Sequence, residues 1–218
     1  MAQFFEIHPD NPQQRLIRQA ADMLRQGAVV ALPTDSCYAL VCHLDDKNAV
    51  DRIRRIRQLD ERQHLALLCR DLTHLSNYAK VDNAQYRLLK SVLPGPYTFI
   101  LEASREVPRR VSHPSKKTIG IRVPDHAITQ ALLAELGEPL IATSLQLPDD
   151  DQPMSDPHAV RDALEHQVAL VISDGGDCGL HPTTVIDWTG DAPVVVRQGA
   201  GPLTGALEPF DVEPTDRI

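Results

Sequence analysis

Apolar residues recur at helical spacing in several segments of the chain. Between Asn11 and Gly27 they repeat every three or four residues, which predicts an amphipathic helix with Asn11 as its N-cap. A second helix is predicted after Asp46, whose carboxylate can accept hydrogen bonds from the first turn. The apolar face of this second helix consists of Ala49, Val50, Ile53 and Ile56. The other predicted helices begin after Asp71, after Asp82, near residue 126 and at Pro157.

Short apolar runs lie between these helices and predict strands. They cover residues 28–32, 65–69, 97–101, 140–143, 168–173, 183–187 and 194–197. In residues 118–123 every second residue is apolar, so Arg122 should point away from the core. Strands mixed with helices throughout predict one α/β domain with a mixed sheet. We assign residues 1–201 to this domain and residues 202–218 to a loosely docked C-terminal tail.

The composition is typical of a globular protein that buries a sizeable core. Hydrophobic residues make up 42% and charged residues 24% of the 218 residues. No segment approaches the roughly 18–20 consecutive apolar residues of a membrane helix, and residues 1–10 do not resemble a signal peptide. We therefore expect a soluble, cytoplasmic protein with no membrane partner. The four cysteines are too few and too irregularly spaced for a disulfide framework, so we expect reduced thiols.

The net charge of −8 is unevenly distributed along the chain. Residues 1–126 carry 19 Lys and Arg against 14 Asp and Glu, whereas residues 127–218 carry 3 against 16. Most basic residues are arginines, whose planar guanidinium suits bidentate contacts with phosphate or carboxylate. They concentrate in two clusters: Arg52, Arg54, Arg55 and Arg57, and Arg105, Arg109, Arg110, Lys116 and Lys117. Such clusters are typical of an anion-binding surface or of an ordinary solvated one, and both interpretations stay open.

The standard motifs of phosphate-binding loops, dinucleotide-binding loops and serine hydrolases are absent from the sequence. Cys178 and His181 lack the two further ligands of a zinc site, so no metal site is predicted. Polar or cationic groups remain near the ends of predicted strands and helices. They lie in residues 33–38, 57–59, 118–124, 143–146 and 182–187.

These segments carry a family resemblance. They read Pro-Thr-Asp-Ser-Cys-Tyr, Arg-Gln-Leu, Thr-Ile-Gly-Ile-Arg-Val-Pro, Thr-Ser-Leu-Gln and Pro-Thr-Thr-Val-Ile-Asp. With Pro-Gly-Pro-Tyr-Thr at 94–98 and Val-Arg-Gln-Gly at 196–199, they follow the order seen in the YrdC-like superfamily. The chain to about residue 201 resembles the YciO branch of that superfamily. The resemblance implies a twisted, open α/β sheet with a concave, positively charged cleft.

The best-known relatives implied by this resemblance are threonylcarbamoyl-adenylate synthases. They combine L-threonine, bicarbonate and ATP in the first step of making the t6A base of tRNA. By resemblance, Thr34 and Tyr38 line the threonine pocket and Arg122 holds the threonine carboxylate. The implied nucleotide contacts are Arg57, Ser144, Gln146, Thr184 and Arg197. ATP would be a substrate accompanied by Mg²⁺, with no permanent cofactor, and no protein nucleophile is needed because adenylation requires positioned reactants and cations.

The chain departs from the synthase pattern at both phosphate motifs. Synthases of this family characteristically read Lys-x-Arg and Ser-x-Asn, whereas this chain reads Arg57-Gln58-Leu59 and Ser144-Leu145-Gln146. Leu59 cannot contact phosphate. The loss of one charge-assisted hydrogen bond costs about 1.5–3 kcal/mol, or roughly ten- to a hundredfold in affinity. The implied site is therefore altered and not erased.

The sequence leaves three hypotheses for function. In the first, the protein binds double-stranded RNA or tRNA, together with nucleotide, in a basic cleft that includes Arg54, Arg55, Arg105, Arg109, Arg110, Lys116 and Lys117. In the second, it is an ATP-dependent threonylcarbamoyl-AMP synthase. In the third, the cleft is a plain nucleotide or small-molecule pocket. The threonines near the strand ends also have a structural interpretation as turn and strand formers.

Overall fold

The structure is a computed structural model that describes residues 1–60, 63, 65–109, 111–113, 115–208 and 210. The strands are β1 (Gln3–Glu6), β2 (Val30–Leu32), β3 (Ala39–His43), β4 (Ala66–Leu68), β5 (Tyr97–Glu102), β6 (Thr118–Arg122), β7 (Leu140–Ser144), β8 (Leu170–Ser173), β9 (Thr184–Asp187) and β10 (Val194–Arg197). The helices are α1 (Gln14–Arg25), α2 (Lys47–Arg57), α3 (Leu72–Tyr78), α4 (Asn83–Val92), α5 (Ala127–Leu136) and α6 (Pro157–Leu164). A 3-10 turn follows at Gly205–Leu207. Within these residues no helix combines the length and the apolar character needed to cross a bilayer.

The strands form one mixed sheet in the order β1-β8-β2-β3-β7-β4-β6-β5-β9-β10. This confirms the predicted α/β class and the open, mixed sheet. On one face of the sheet, apolar residues of α1 and α5 pack against β2, β3, β7 and β8. On the other face, α2, α3, α4 and α6 pack over a larger apolar core. Because α1 and α5 cover only part of their face, the face formed by β4, β6, β5, β9 and β10 is left to line a cavity.

The predicted helices all form, and most begin as the sequence indicates. The Asp46 carboxylate accepts a hydrogen bond from the Ala49 amide at 2.8 Å, and the predicted apolar face of α2 is buried. The start of α1 was predicted wrongly. Its N-cap is Gln13 and has no side-chain capping bond, while the ring of His8 accepts hydrogen bonds from the amides of Asp10 and Asn11. Asn11 therefore belongs to the preceding turn, closed by His8.

Two strands, β1 and β3, were not among the predicted strands. All five residues of β6 are buried, and Arg122 is only 6% exposed. Arg122 lies on the face of β6 opposite Ile119 and Ile121, so it points away from the main core, as predicted. Gly120, on the same face as Arg122, lines the cavity. Within the predicted C-terminal tail, the side chain of Leu207 is fully buried in the main core. Residues 209 and 211–218 lie outside the described residues.

Candidate functional site

The uncovered part of the sheet lines a cavity of about 430 Å³. This volume falls within the range of roughly 300–1,000 Å³ that is usual for small-molecule sites. Its wall includes the C-terminal end of α2, the chain that leads into β4, the end of β7 and the segments around β9 and β10. The described residues that line it are Arg57, Leu59, Gln63, Leu65, Ala66, Thr98, Ile100, Gly120, Ala142, Thr143, Ser144, Gln146, Pro182, Thr183, Val185, Val196 and Arg197.

A row of small residues gives the cavity its depth. Ala66 of β4 lies directly opposite Gly120 of β6 and Ala142 of β7, so three neighbouring strands present small side chains at one level. A β-carbon built on Gly120 would lie 3.2 Å from the Thr98 methyl carbon and 3.4 Å from the Leu65 carbonyl oxygen. Beside this row, Ile100, Val185 and Val196 form a separate apolar patch. One part of the cavity wall is therefore apolar.

Arg57 and Arg197 supply the only charged side chains among the described residues that line the cavity. Arg197 donates from Nε and Nη2 to the Thr183 carbonyl oxygen, at 3.3 and 3.1 Å. The Nε of Arg57 is buried and has no hydrogen-bond partner among the described residues. Burial lowers the pKa of both guanidinium groups, and the proximity of Arg197 contributes to the lowering at Arg57. No described lining residue is acidic, and burial of two cations together is stabilised when an anion neutralises them.

Hydroxyl and amide groups complete the polar part of the cavity. The hydroxyl oxygens of Thr98 and Thr183 lie 2.8 Å apart, and Ser144 lies at the end of β7. The Gln146 side-chain amide donates to the Asp150 carbonyl oxygen at 2.8 Å, which ties Gln146 to the acidic loop. Leu59 lines the cavity and also packs against the main core. The structure thus brings Arg57, Ser144, Gln146 and Arg197 together, as the resemblance implies.

Thr34 and Arg122 form a separate buried cluster with Asp35. The Thr34 hydroxyl donates to the Cys37 carbonyl oxygen at 2.6 Å and accepts from Arg122 Nη2 at 3.0 Å. Arg122 Nη2 also donates to the Asp35 carboxylate, and only 7% and 10% of these two side chains is exposed. Within the described residues, the buried Nε of Arg122 has no hydrogen-bond partner. Neither Thr34 nor Arg122 is among the cavity-lining residues.

Cys37 connects this cluster to the cavity. The positive charges of Arg122 and Arg197 act on its thiol, as does a hydrogen bond with Ser144, yet burial outweighs them and raises the pKa of Cys37. Arg57 is also close enough to interact electrostatically with Cys37. Sequence reasoning missed both Asp35 and Cys37 as members of the site. The signal for Asp35 was its position between Thr34 and Ser36 in a turn that leads directly into a strand.

The two other implied ligand contacts are buried away from the cavity. Tyr38 is fully buried, and its hydroxyl donates to the Ile172 carbonyl oxygen at 2.9 Å. Burial is the largest cause that raises the pKa of Tyr38. Thr184 is also fully buried, donates to the Gly201 carbonyl oxygen at 2.6 Å and accepts from the Gly199 amide at 2.9 Å. Both hydroxyls hold the backbone around the site.

The basic residues predicted to contact RNA do not converge on the cavity. Arg54 donates to the carbonyl oxygens of Asp60 and Gln63, where it holds the loop after α2. The others are exposed, on α2 or on the connection between β5 and β6: Arg55, Arg105, Arg109, Lys116 and Lys117. Arg110 lies outside the described residues. None of the described members of this set lines the cavity.

The half-covered sheet and the cavity with two arginines in its wall define an α/β protein with one face of its sheet open to a small-molecule-sized cavity. The sequence model of the Sua5/YciO/YrdC family, described as "Telomere recombination", matches residues 22–199. The chain belongs to this family, and within it to the YciO branch.

Relatives in this family include proteins of both branches. YciO of Escherichia coli (strain K12) is 57% identical over 201 residues, which cover 92% of this chain and 97% of the relative. Its crystal structure matches with a TM-score of 0.90 at 56% identity, over 93% of this chain and 98% of that chain. The threonylcarbamoyl-AMP synthase of Bos taurus is 35% identical over 163 residues, 75% of this chain and 57% of the relative. Sua5 of P. abyssi, complexed with L-threonine, matches with a TM-score of 0.81 at 29% identity, over 90% of this chain and 57% of that chain.

Proposed function

We propose that the protein binds ATP in the basic cavity and adenylates a small amino-acid carbamate, as a threonylcarbamoyl-AMP synthase does. The observation that carries this proposal is the pairing of Arg57 and Arg197 in one cavity where no described lining residue is acidic. Two unneutralised guanidinium groups favour a ligand with several negative charges in a small space, and a triphosphate is such a ligand. Similarity to a threonylcarbamoyl-AMP synthase and to a threonine-bound Sua5 supports the choice of reaction.

The amino-acid substrate would bind near the buried cluster. The Arg122 Nε is buried and has no partner in the described part of the chain, and a guanidinium in that state would be stabilised by a carboxylate. The positive charges of both Arg122 and Arg197 act on the Cys37 thiol, so the two cationic sites lie near the same buried residue. A substrate carboxylate at Arg122 and a triphosphate at Arg57 and Arg197 would therefore be neighbours.

The proposed chemistry requires positioning more than a protein base. The amine of threonine condenses with bicarbonate to a carbamate and releases water. A carbamate oxygen then attacks the α-phosphorus of ATP, the bond to the bridging oxygen breaks, and pyrophosphate leaves with that electron pair. Arg57 and Arg197 would stabilise the charge that accumulates on the leaving group. The described lining residues include no carboxylate to ligate Mg²⁺, so Mg²⁺ would enter as a complex with the ATP phosphates.

The test is a reaction of the purified protein with ATP, L-threonine and bicarbonate. We expect pyrophosphate release that needs all three compounds, and a product with the mass of threonylcarbamoyl-AMP. Arg57→Met should reduce the rate, whereas Arg52→Met, an exposed arginine on the same helix, should not. Pyrophosphate release no higher than with heat-denatured protein would reject the proposal.

RNA binding is the second candidate function. Five exposed basic residues support it: Arg55, Arg105, Arg109, Lys116 and Lys117. If they bind phosphates, the logarithm of RNA affinity should fall with the logarithm of salt concentration at a slope of roughly −0.7 to −0.9 per contact. The double variant Arg109→Glu, Lys117→Glu should flatten this slope, and Arg15→Glu on α1 should not. A flat salt response in the unmodified protein would count against RNA binding.

A further inference from the structure

Arg197 is held along one edge of its guanidinium by a single backbone atom. Its Nε and Nη2 both donate to the Thr183 carbonyl oxygen, at 3.3 and 3.1 Å. This edge is used up by the carbonyl group, because the Nε hydrogen and one Nη2 hydrogen point the same way in the guanidinium plane. Nη1 has no hydrogen-bond partner within the described residues, yet it is not buried. The end formed by Nη1 and the second Nη2 hydrogen is therefore free, on a residue that lines the cavity.

The direction of the Arg197 side chain departs from the regular alternation of its strand. In a regular strand, neighbouring side chains point to opposite faces of the sheet. Val196 and Arg197 are neighbours at the end of β10, yet both line the cavity. The register between β10 and β9 shifts between Val195 and Arg197, as in a β-bulge, and a bulge re-aims the side chain beside it. The bond to the Thr183 carbonyl oxygen holds Arg197 in this direction.

Thr184 ties the segment after Arg197 back to β9. Its hydroxyl accepts from the Gly199 amide at 2.9 Å and donates to the Gly201 carbonyl oxygen at 2.6 Å. Because Thr184 is fully buried, water cannot replace either bond if the hydroxyl is removed. The backbone on both sides of the contact between Arg197 and Thr183 therefore depends on this one hydroxyl.

Gly199 packs directly on the peptide group that Arg197 contacts. A β-carbon on Gly199 would lie 2.1 Å from the Pro182 carbonyl oxygen and 2.6 Å from both the carbonyl carbon and the carbonyl oxygen of Thr183. The next amide, of Ala200, donates to the Pro182 carbonyl oxygen at 2.8 Å. Only glycine allows this approach, so any side chain at position 199 would displace the acceptor of Arg197.

We infer that Thr184 and Gly199 are positioning residues for Arg197: they fix the Thr183 carbonyl oxygen, which directs the free end of the guanidinium toward the phosphates of the ligand. This inference rests on the proposed function. Neither Thr184 nor Gly199 is among the described residues that line the cavity, so both act through Arg197 and not by contact with the ligand. An arginine that is already oriented loses less conformational freedom when it binds phosphate, which raises affinity.

The first experiment compares Thr184→Val with Thr184→Ser. Valine keeps the shape of threonine without the hydroxyl, whereas serine keeps the hydroxyl and loses only a methyl group. In calorimetry with ATP, we expect Thr184→Val to raise the Kd roughly tenfold and Thr184→Ser to change it by less than about twofold. A merely structural role would lower the fraction of protein that binds ATP without changing the Kd. Equal ATP affinities in the two folded variants would overturn the inference.

A second variant covers the outcome in which Thr184→Val does not fold. Gly199→Ala displaces the Thr183 carbonyl group without the removal of any hydrogen-bonding group. Its matched control is Gly190→Ala, in the connection between β9 and β10, where a β-carbon would meet no atom within 4 Å. We expect Gly199→Ala to weaken ATP binding roughly tenfold and Gly190→Ala to bind ATP like the unmodified protein. Full ATP affinity in a folded Gly199→Ala protein would contradict the inference.

A measurement on the unmodified protein separates this inference from the proposed function. If the protein does not bind ATP, the proposed function fails, but the NMR signal of the Arg197 Nε–H group still reports its bond to Thr183. This signal is identified by its loss in Arg197→Lys. We expect it to exchange with solvent much more slowly than the Nε–H signal of the exposed Arg52, and to exchange faster in Thr184→Val. An exchange rate equal to that of Arg52 would overturn the inference, whether or not ATP binds.

Discussion

The hydroxyl of Tyr38 donates a hydrogen bond to the backbone carbonyl oxygen of Ile172 at 2.9 Å. Tyr38 directly precedes β3, whereas Ile172 lies in β8, two strands away from β3 in the sheet. Tyr38 is fully buried, so this bond forms inside the core beneath the segment that carries Thr34 and Asp35. The family resemblance implies that Tyr38 lines a threonine pocket, whereas its contacts indicate a role in supporting that segment.

Tyr38→Phe separates these two roles. Removal of the hydroxyl leaves the Ile172 carbonyl oxygen without this donor, and we expect the free energy of unfolding to fall by about 1–2 kcal/mol. Because the ring stays in place, the KM for threonine should change by less than about twofold. Urea unfolding and steady-state kinetics check the two values. A large rise in KM with unchanged stability would assign Tyr38 to the pocket.

Gly179 is required by the close approach of its backbone to Ser36. A β-carbon at Gly179 would lie 2.1 Å from the Ser36 carbonyl oxygen, so a larger residue at position 179 would force one of the two backbone segments to move. We expect Gly179→Ala to destabilise the protein by roughly 1–3 kcal/mol, as overpacking does in a core. Gly176→Ala is the control, because Gly176 lies in the same loop and a β-carbon there would meet no atom within 4 Å. Equal thermal stability of the two variants would refute the contact.

Asp71 should make stability depend on acidic pH. Its pKa is lowered mainly by the hydrogen bond from the His74 amide, at 2.7 Å, which caps α3. Because the folded-state pKa lies below the unfolded value of roughly 3.9, the stabilisation is present above that value and is lost as pH falls through the folded pKa. Asp71→Asn should therefore remove part of the decline in unfolding free energy below about pH 4. Urea titrations between about pH 2.5 and 6 measure this decline, and identical curves for both proteins would contradict the prediction.

Arg57 should dominate the affinity for ATP. Its Nε has no partner among the described residues that surround the cavity, so if the cavity binds ATP as proposed, replacement of Arg57 would remove at least one charge-assisted hydrogen bond to phosphate. We expect Arg57→Met to weaken ATP binding by roughly ten- to a hundredfold, which corresponds to about 1.5–3 kcal/mol. Arg52→Met, on the exposed side of α2, should bind ATP like the unmodified protein. Calorimetry with ATP measures both, and equal affinities would exclude Arg57 from the phosphate site.

Local pattern was sufficient for most of the secondary structure. The apolar face and the Asp46 cap of α2 depend on residues within one or two helical turns, so the sequence predicts them correctly. β1 and β3 were missed for different reasons. β1 has only four residues with exposed ends, and its partner β8 is about 165 residues away in sequence. β3 directly follows the turn at residues 33–38, and the sequence was interpreted there as a polar motif and not as the start of a strand.

The sequence alone determined the α/β class, the helices and most of their starts, and the motif residues Arg57, Ser144, Gln146 and Arg197, which line one cavity in the structure. The tertiary structure alone decided that Arg122 is buried against Asp35, that Tyr38 and Thr184 support the backbone, and that the basic surface residues lie apart from the cavity. The physical reason is the range of the interactions. Periodicity and capping act between near neighbours, whereas burial, ion pairing and the loss of solvent around a charge depend on which distant segments the folded sheet places together.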